Sequence, residues 1–376
     1  MKIAIVSSSF DQPSETFVRE HISSIAPDDT VLISRSNNSP SGWSFPILTG
    51  VGNRASAGIL SDFVYRAVNS RWSPIQLPPL DEAENKRVEI FLRTNRVTRV
   101  LAEFGPNGYL VLEACKRSAI PLYVHFHGFD ATSLPRQRRW RLRYQRLFEH
   151  AAGIMVPSNY LAQKLLSYNC PQEKIHVSNN GVDVTRFQPS LHNSGAILAV
   201  SRLVPVKGPL ITIQAFRIAL DKFPNATLDM VGDGPLMQQC KDLVNSLGLA
   251  AAVKFHGAQP HEAVVRFMSK AAMFVQHSVE QPDGQTEAFG VSFLEAAAAE
   301  VPVIATRSGG IPEVVVHGKT GLLVSEKDVD GMAAAMIQLL TNPVRSVSMG
   351  RAARARVLGG YTNLHAANRI REIMTS

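Results

Sequence analysis

Short apolar runs alternate along this chain with longer segments of helical periodicity. In the first half the runs are 2–8 (KIAIVSS), 30–35 (TVLISR), 97–104 (VTRVLAEF), 121–127 (PLYVHFH), 153–157 (GIMVP) and 174–178 (KIHVS). In the second half they are 196–201 (AILAVS), 226–231 (ATLDMV), 252–256 (AVKFH), 273–278 (MFVQHS), 302–306 (PVIAT) and 321–325 (GLLVS). Helical spacing fills the intervals, as in 107–118 (NGYLVLEACKRS) and 158–169 (SNYLAQKLLSYN). The runs are continuously apolar, which a strand covered on both faces requires. Strand and helix in alternation imply parallel sheets with right-handed crossovers. The two series predict two doubly wound α/β domains, 1–185 and 186–359. They join through the Gly/Pro/Ser/Asn-bearing segment 181–195 (GVDVTRFQPSLHNSG).

Composition agrees with this and removes several classes. The chain has 376 residues, 45% hydrophobic and 19% charged. It is too apolar for a disordered chain and long enough for two domains. Cys115, Cys170 and Cys240 lie far apart, and no CxxC or Cys/His ligand spacing occurs. A disulfide scaffold and a zinc module are therefore not expected, and a reducing compartment is. No apolar run reaches the roughly 18–20 residues that span a bilayer. The opening MKIAIVSSSF reads as a buried strand, not as a signal peptide. A cytoplasmic protein follows, whose membrane contact is peripheral.

Lys+Arg 39 against Asp+Glu 31 gives +8. Much of the first half's excess sits in one segment, 136–146 (RQRRWRLRYQR), with six Arg. On a helix Arg136, Arg139, Arg143 and Arg146 fall at three- and four-residue spacings and form one basic stripe. The stripe reads either as a solvated face or as a site for an anionic partner such as the inner face of a membrane. A nucleic-acid binder would spread its charge more widely, and none is expected as partner.

Five constellations carry candidate chemistry. In 285–304 (QTEAFGVSFLEAAAAEVPVI) Glu287 precedes a helix and Glu295 lies within it. The free N–H groups near Phe289–Ser292 form an anion site, flanked by two acids able to hold sugar and ribose hydroxyls. The bare spacing also suits two surface acids. In SRLVPVKGPLI, Arg202 follows a strand and Lys207 opens a helix, an arrangement that matches a pyrophosphate. VGDGP (231–235) is a Gly-rich strand-to-helix turn whose glycines permit close backbone approach. In HFHGFD, His125 and His127 share one strand face, Phe126 takes the other, and Asp130 is placed to orient an imidazole. No third metal donor is evident nearby, so no metal is expected. In Ser14-Glu15-Thr16-Phe17, Ser14 is a candidate helix cap, and hydroxyls there could face a ligand.

Read in order, His127-Gly128-x-Asp130, Asn180-Gly181-Val182-Asp183, Ser201-Arg202-Leu203-x-x-x-Lys207-Gly208, Gly232-Asp233-Gly234-Pro235 and Glu287-x7-Glu295, closing with GGIPEVV and GKTGLLV, resemble the retaining glycosyltransferases of family 4. The resemblance spans residues 2–376. SETF, HFHGFD and the Arg-rich segment resemble members acting in bacterial exopolysaccharide and cell-surface glycan assembly. The resemblance implies the GT-B fold, two facing Rossmann-like domains with the C-terminal helix (360–376) crossing back to the first. It implies a hexosyltransferase (EC 2.4) using a UDP- or GDP-type sugar, a glycan or lipid-linked acceptor, and no cofactor or metal.

By the same resemblance Arg202 and Lys207 clamp the donor diphosphate, and Glu287 contacts the donor sugar with the N–H groups of Phe289, Gly290 and Val291. Glu295 holds the ribose, Gly232 and Asp233 line the nucleotide site, and 255–262 (FHGAQPHE) faces the base. His127 contacts the sugar, with Asp130 and Thr16 on the substrate side. There are departures. The loop after the first strand lacks the family's glycines, Glu300 stands where a helix-ending Gly is usual, and Ala288 where Gly or Ser is common. An epimerase or a non-catalytic nucleotide-sugar binder would use the same fold; the full set of charged residues favours turnover.

Overall fold

The computed structural model describes residues 1–10, 15–38, 43–53, 79–189 and 195–376. Its contacts divide the chain into two units. One comprises Met1–Pro157, Leu161–Ser178 and Ala367–Ser376; the other comprises Ser158–Tyr160 and Asn179–Ala366.

The first unit holds a sheet of β1 (Ile3–Ser7), β2 (Thr30–Ser34), β3 (Ile47–Leu48), β4 (Arg99–Glu103), β5 (Leu122–His125), β6 (Gly153–Val156) and β7 (Ile175–Val177). The order is β3-β2-β1-β4-β5-β6-β7, and each pairing is parallel. The second unit holds β8 (Ala196–Val200), β9 (Thr227–Val231), β10 (Val253–Gly257), β11 (Met273–Gln276), β12 (Val303–Thr306) and β13 (Gly321–Val324). Its order is β10-β9-β8-β11-β12-β13, again parallel. Every strand expected from the apolar runs is present. The two-residue edge strand β3 was not expected, being too short to show a period.

Both sheets reverse direction once. The chain runs β1, β2, β3 to one side, then returns to place β4 on the far side of β1. It repeats the manoeuvre with β8, β9, β10 and then β11. At such a switch point the loops leaving adjacent strands diverge, and a crevice opens at their carboxyl ends.

The helix Asn363–Thr375 begins in the second unit and ends in the first. Ala367, Ile370, Ile373 and Met374 pack with Ile3, Ile5, Leu101 and Tyr123 in the first unit's core. Spacings of three and four put them on one helix face. Each buried Ile contributes roughly 1.5–3 kcal/mol. Arg99 Nε donates to the Met374 carbonyl (3.0 Å) and Arg371 to that of Ser24 (3.1 Å), which fixes the helix end.

The join lies earlier than the expected 181–195. Residues from Asn179 already belong to the second unit, because Val182 N–H donates to the Tyr361 carbonyl (3.0 Å) and Asn363 N–H to that of Val182 (3.1 Å). Gly181 is required there, since a Cβ would lie 2.6 Å from the Asn363 backbone.

The Arg-rich segment forms a helix, Arg138–His150, but not the single stripe expected. Arg143 is buried, its guanidinium over Trp140 (4.7 Å) and Tyr109 (5.2 Å). Trp140, Tyr144 and Leu147 define the buried face, and Arg143 shares it. The exposed face carries Arg138, Arg139, Arg141 and Arg146 around Leu142, which is 53% exposed. Among the described residues no helix is long and apolar enough to cross a membrane.

Candidate active site

In the second unit the expected polar residues gather at the carboxyl ends of β8, β9 and β11. Lys207 ends a single 3-10 turn, Pro205–Lys207, and Gly208 follows at φ 56°. A Cβ on Gly208 would meet the His277 carbonyl oxygen at 1.9 Å, so only glycine lets this turn pack against the segment leaving β11. That packing joins two residues expected to act separately. Lys207 Nζ donates to Glu287 Oε2, which also accepts from Gln276 Nε2 at 2.9 Å. The pair is partly open, its side chains 19% and 11% exposed. The GG of GGIPEVV seats Glu287 from below. Gly310 N–H donates to the Glu287 carbonyl (2.9 Å), and a Cβ on Gly309 would lie 2.0 Å from that oxygen.

Arg202 is exposed beyond β8, and its guanidinium has no hydrogen-bond or ion-pair partner among the described residues. Asp233 is also exposed, and its carboxylate accepts from Gly234 N–H (2.7 Å). Gly232 is required by the protein's own backbone: at φ 132° a Cβ there would lie 1.9 Å from the Ser201 carbonyl oxygen. Gly290, at φ 91°, caps the helix Val291–Ala298 and directs its first N–H groups outward. Phe289 is buried as a whole residue.

Glu295 lies inside that helix as expected. His261, at the start of the helix His261–Met268, meets its Oε1 through Nε2 at 2.9 Å. Arg186 meets His261 Nδ1 at 3.0 Å and Glu262 at 3.3 Å. Arginine only donates, so His261 Nδ1 accepts and Nε2 carries the hydrogen bonded to Glu295. Sequence reasoning missed Gln276, His261 and Arg186 as partners, although His261 falls in the segment expected to face the base.

The first unit builds a different site. His125 and His127 come together, with ring centroids 4.3 Å apart, while Phe126 packs on Tyr144 and Phe148 on the other side. The partner of His127 is Glu103, the last residue of β4, whose Oε2 lies 2.7 Å from Nε2. Glu103 Oε1 lies 2.8 Å from His21 Nδ1 on the helix Thr16–Ser24. Burial raises the Glu103 carboxyl, but the charges and hydrogen bonds of His21 and His127 outweigh it and hold the group well below its usual range. Burial pushes His125 well below an ordinary imidazole, reinforced by the neighbouring His127.

Asp130 does not orient an imidazole or reach outward. It is fully buried, and its oxygens accept from the N–H groups of Gly105 (2.9 Å), His127 (3.0 Å) and Gly128 (2.8 Å). It shapes the loop that carries His127. Burial raises its carboxyl, which His127 and the three amides offset in part. Thr16 is the first residue of its helix and half-buried; Ser14 lies outside the described residues.

A third donor near His125 does exist, against expectation. His21, Glu103 and His125 offer ligand atoms within 4.8 Å of one another. The His21 and Glu103 donors are already spent on a mutual hydrogen bond, so the group is a hydrogen-bonded cluster. A cavity of about 390 Å³ in the second unit is lined by Gly195, Ala226, Ala272 and Pro302, each just before a strand. It thus opens at the amino ends of the strands, opposite Lys207 and Glu287.

Residues 183–356 match the family Glycosyl transferases group 1, and residues 52–186 match Glycosyltransferase Family 4. The chain is 30% identical over 325 residues to the amylovoran biosynthesis glycosyltransferase AmsK of Erwinia amylovora, covering 84% of this chain and 78% of that one. It is 32% identical over 256 residues to the putative colanic acid biosynthesis glycosyltransferase WcaL of Escherichia coli, covering 66% of this chain and 63% of that one. It is 34% identical over 284 residues to a GDP-mannose-dependent alpha-(1-6)-phosphatidylinositol monomannoside mannosyltransferase of Mycobacterium tuberculosis, covering 69% and 73%. Among solved structures, Anabaena Alr3699/HepE in complex with UDP and glucose superposes with a TM-score of 0.81 at 18% identity, over 100% of this chain and 99% of that one. At that identity the likeness concerns the fold.

Proposed function

We propose a reaction for a chain that belongs to the GT-B glycosyltransferases: transfer of a hexose from a nucleoside diphosphate sugar to an acceptor hydroxyl, with retention at the anomeric carbon, as in family 4. The observation that carries the site assignment is the Lys207–Glu287–Gln276 cluster at the second sheet's switch point. A lysine held by a half-buried carboxylate can exchange that partner for a diphosphate. Glu287 is then released to accept a hydroxyl of the donor sugar.

Arg202 supplies a second cation without having to break a protein contact. The N–H groups of Phe289, Gly290 and Val291 add fixed dipoles, and Glu295, oriented by His261, takes the ribose. Charge develops on the leaving diphosphate, and preorganised cations and N–H groups stabilise it in the transition state. On this reading no divalent ion is needed, and transfer survives EDTA. His127, in the first unit, contacts the reacting sugar.

The named relatives support a role in exopolysaccharide or cell-surface glycan assembly, and they support donors of the GDP or UDP type. The acceptor is a glycan or a lipid-linked glycan. Arg138, Arg139, Arg141 and Arg146 around Leu142 suit peripheral contact with an anionic cytoplasmic membrane face, at about 1 kcal/mol per charge.

Thermal-shift titration with UDP, GDP, ADP and their sugars tests the reading. One preferred nucleoside diphosphate should raise Tm, by about 2.7 kcal/mol of stabilisation at a hundredfold excess over Kd. The site assignment fails if none does, or if the double variant Arg202→Ala/Lys207→Ala keeps the full shift.

A further inference from the structure

Glu103 is fully buried and accepts one imidazole on each oxygen, His21 on Oε1 and His127 on Oε2. A carboxylate only accepts, so each facing nitrogen carries a hydrogen. In His127 that nitrogen is Nε2. Its other nitrogen, Nδ1, is buried and has no hydrogen-bond partner. The ring is confined by Phe17 and Phe104, with centroids 4.2 and 4.8 Å away, and the backbone below it is tied to Asp130.

We infer that Glu103 is the positioning residue for His127, fixing Nε2–H inward and presenting Nδ1 as the hydrogen-bond acceptor for a substrate hydroxyl. This rests on the reading of His127 as the residue at the reacting sugar. Glu103 appears in neither the family resemblance nor the motifs.

Hydrogen-bond accounting supports the assignment. A buried carboxylate requires a positive partner, and two imidazoles share this one. With Nε2–H given to Glu103, the ring nitrogen left over is Nδ1, which has no partner among the described residues. The other titratable groups facing the cluster are His125, stacked on His21 at 5.4 Å, and Asp130, whose oxygens are taken by amides.

The test uses the full chain, its histidines labelled with ¹⁵N, and the donor found by the nucleotide titration. The wild-type two-bond ¹H–¹⁵N spectrum, assigned by loss of signals in His127→Asn, should show the hydrogen on Nε2. In Glu103→Gln the amide can donate to Nε2, so the tautomer should swap. Turnover should then fall roughly ten- to a hundredfold in kcat. KM for the donor should move less than about twofold. In His21→Gln a donor to Oε1 is kept but its charge is lost. Glu103 still faces Nε2, so the His127 tautomer should stay as in the wild type.

Each readout can overturn the inference. Hydrogen on Nδ1 of wild-type His127 does so, as does an unchanged kcat in Glu103→Gln or a swapped tautomer in His21→Gln. So does a stoichiometric divalent metal in the purified protein that is lost in His125→Ala. Should Glu103→Gln fail to fold, the wild-type and His21→Gln spectra decide. Because the tautomer is read without turnover, failure of the inference stays distinct from failure of the proposed activity, which would show as no turnover in the wild type with any nucleotide sugar.

Discussion

The two sheets share one topology and treat charge in opposite ways at the same place. At the switch point of the second, Lys207 and Glu287 remain 19% and 11% exposed, and Arg202 stands in solvent. At the switch point of the first, Glu103 has no exposure, and His21 and His127 are 4% and 5% exposed. An open ion pair can be rearranged by a charged ligand; a sealed one keeps its geometry. Substitutions in the second site should therefore be read mainly in turnover and ligand affinity, and in the first both in stability and in the turnover that depends on how His127 is held.

The largest effect that would expose the difference is Glu103→Ala. Removing one member of a buried charged cluster leaves the others uncompensated, and stability should fall by about 3–5 kcal/mol. Urea titration measures it. A loss below about 1 kcal/mol would place the first site with ordinary surface pairs.

Next come Arg202→Ala and Lys207→Ala. Each should lower kcat/KM by about 10²–10³, or roughly 3–4 kcal/mol, through lost stabilisation of the leaving group. Their Tm values should differ. Arg202→Ala should be neutral, whereas Lys207→Ala strips Glu287 of its cation and should be less stable. Near-wild-type kcat/KM in both variants would remove the diphosphate role.

pH sharpens the comparison further. A histidine whose folded pKa is depressed contributes stability that is present above its unfolded value, near 6.5, and lost as pH falls toward the folded one. Burial depresses His125 well below normal in the first unit and His277 to about 4 in the second. Both should make urea midpoints fall on acidification from about pH 6.5, each with a slope of at most about 1.4 kcal/mol per pH unit. His277→Gln should flatten the share that ends near pH 4, leaving the His125 share. If the slope is unchanged, His277 is not a source of acid sensitivity.

The smallest effect concerns Glu300, at φ 60° just past the helix Val291–Ala298. A left-handed residue with a Cβ costs roughly 1–2 kcal/mol, and a glycine's extra freedom in the unfolded chain offsets part of this. Glu300→Gly should raise stability by about 1 kcal/mol without changing turnover.

Much of the fold was legible, because strands buried on both faces must be apolar throughout. The second site was legible for a related reason: its charges sit where glycines let the chain leave a strand, so Arg202, Lys207, Glu287 and Glu295 stand out. The purpose of those glycines was not fully legible, since Gly232 and Gly309 make room for the protein's own carbonyls. The first site was half hidden. Glu103 ends an apolar run and reads as a strand terminus, although burial makes it the centre of a cluster. His21 had a signal that went unused, sharing a helix face with the buried Val18 and Ile22. Arg143 shows the converse: three- and four-residue spacing defines a stripe but does not say whether aromatic neighbours have covered it.

The closing helix sets an order of events during synthesis. Ala367, Ile370, Ile373 and Met374 cover apolar surface formed by β1 and β4, yet are translated about 260 residues after β4. At about 5–20 residues per second, the ribosome holds a nascent first unit with that surface bare for tens of seconds. Throughout that interval the growing chain offers a greasy patch to chaperones and to neighbouring nascent chains. A message interrupted after codon 366 would encode every described strand of both sheets and still leave it uncovered.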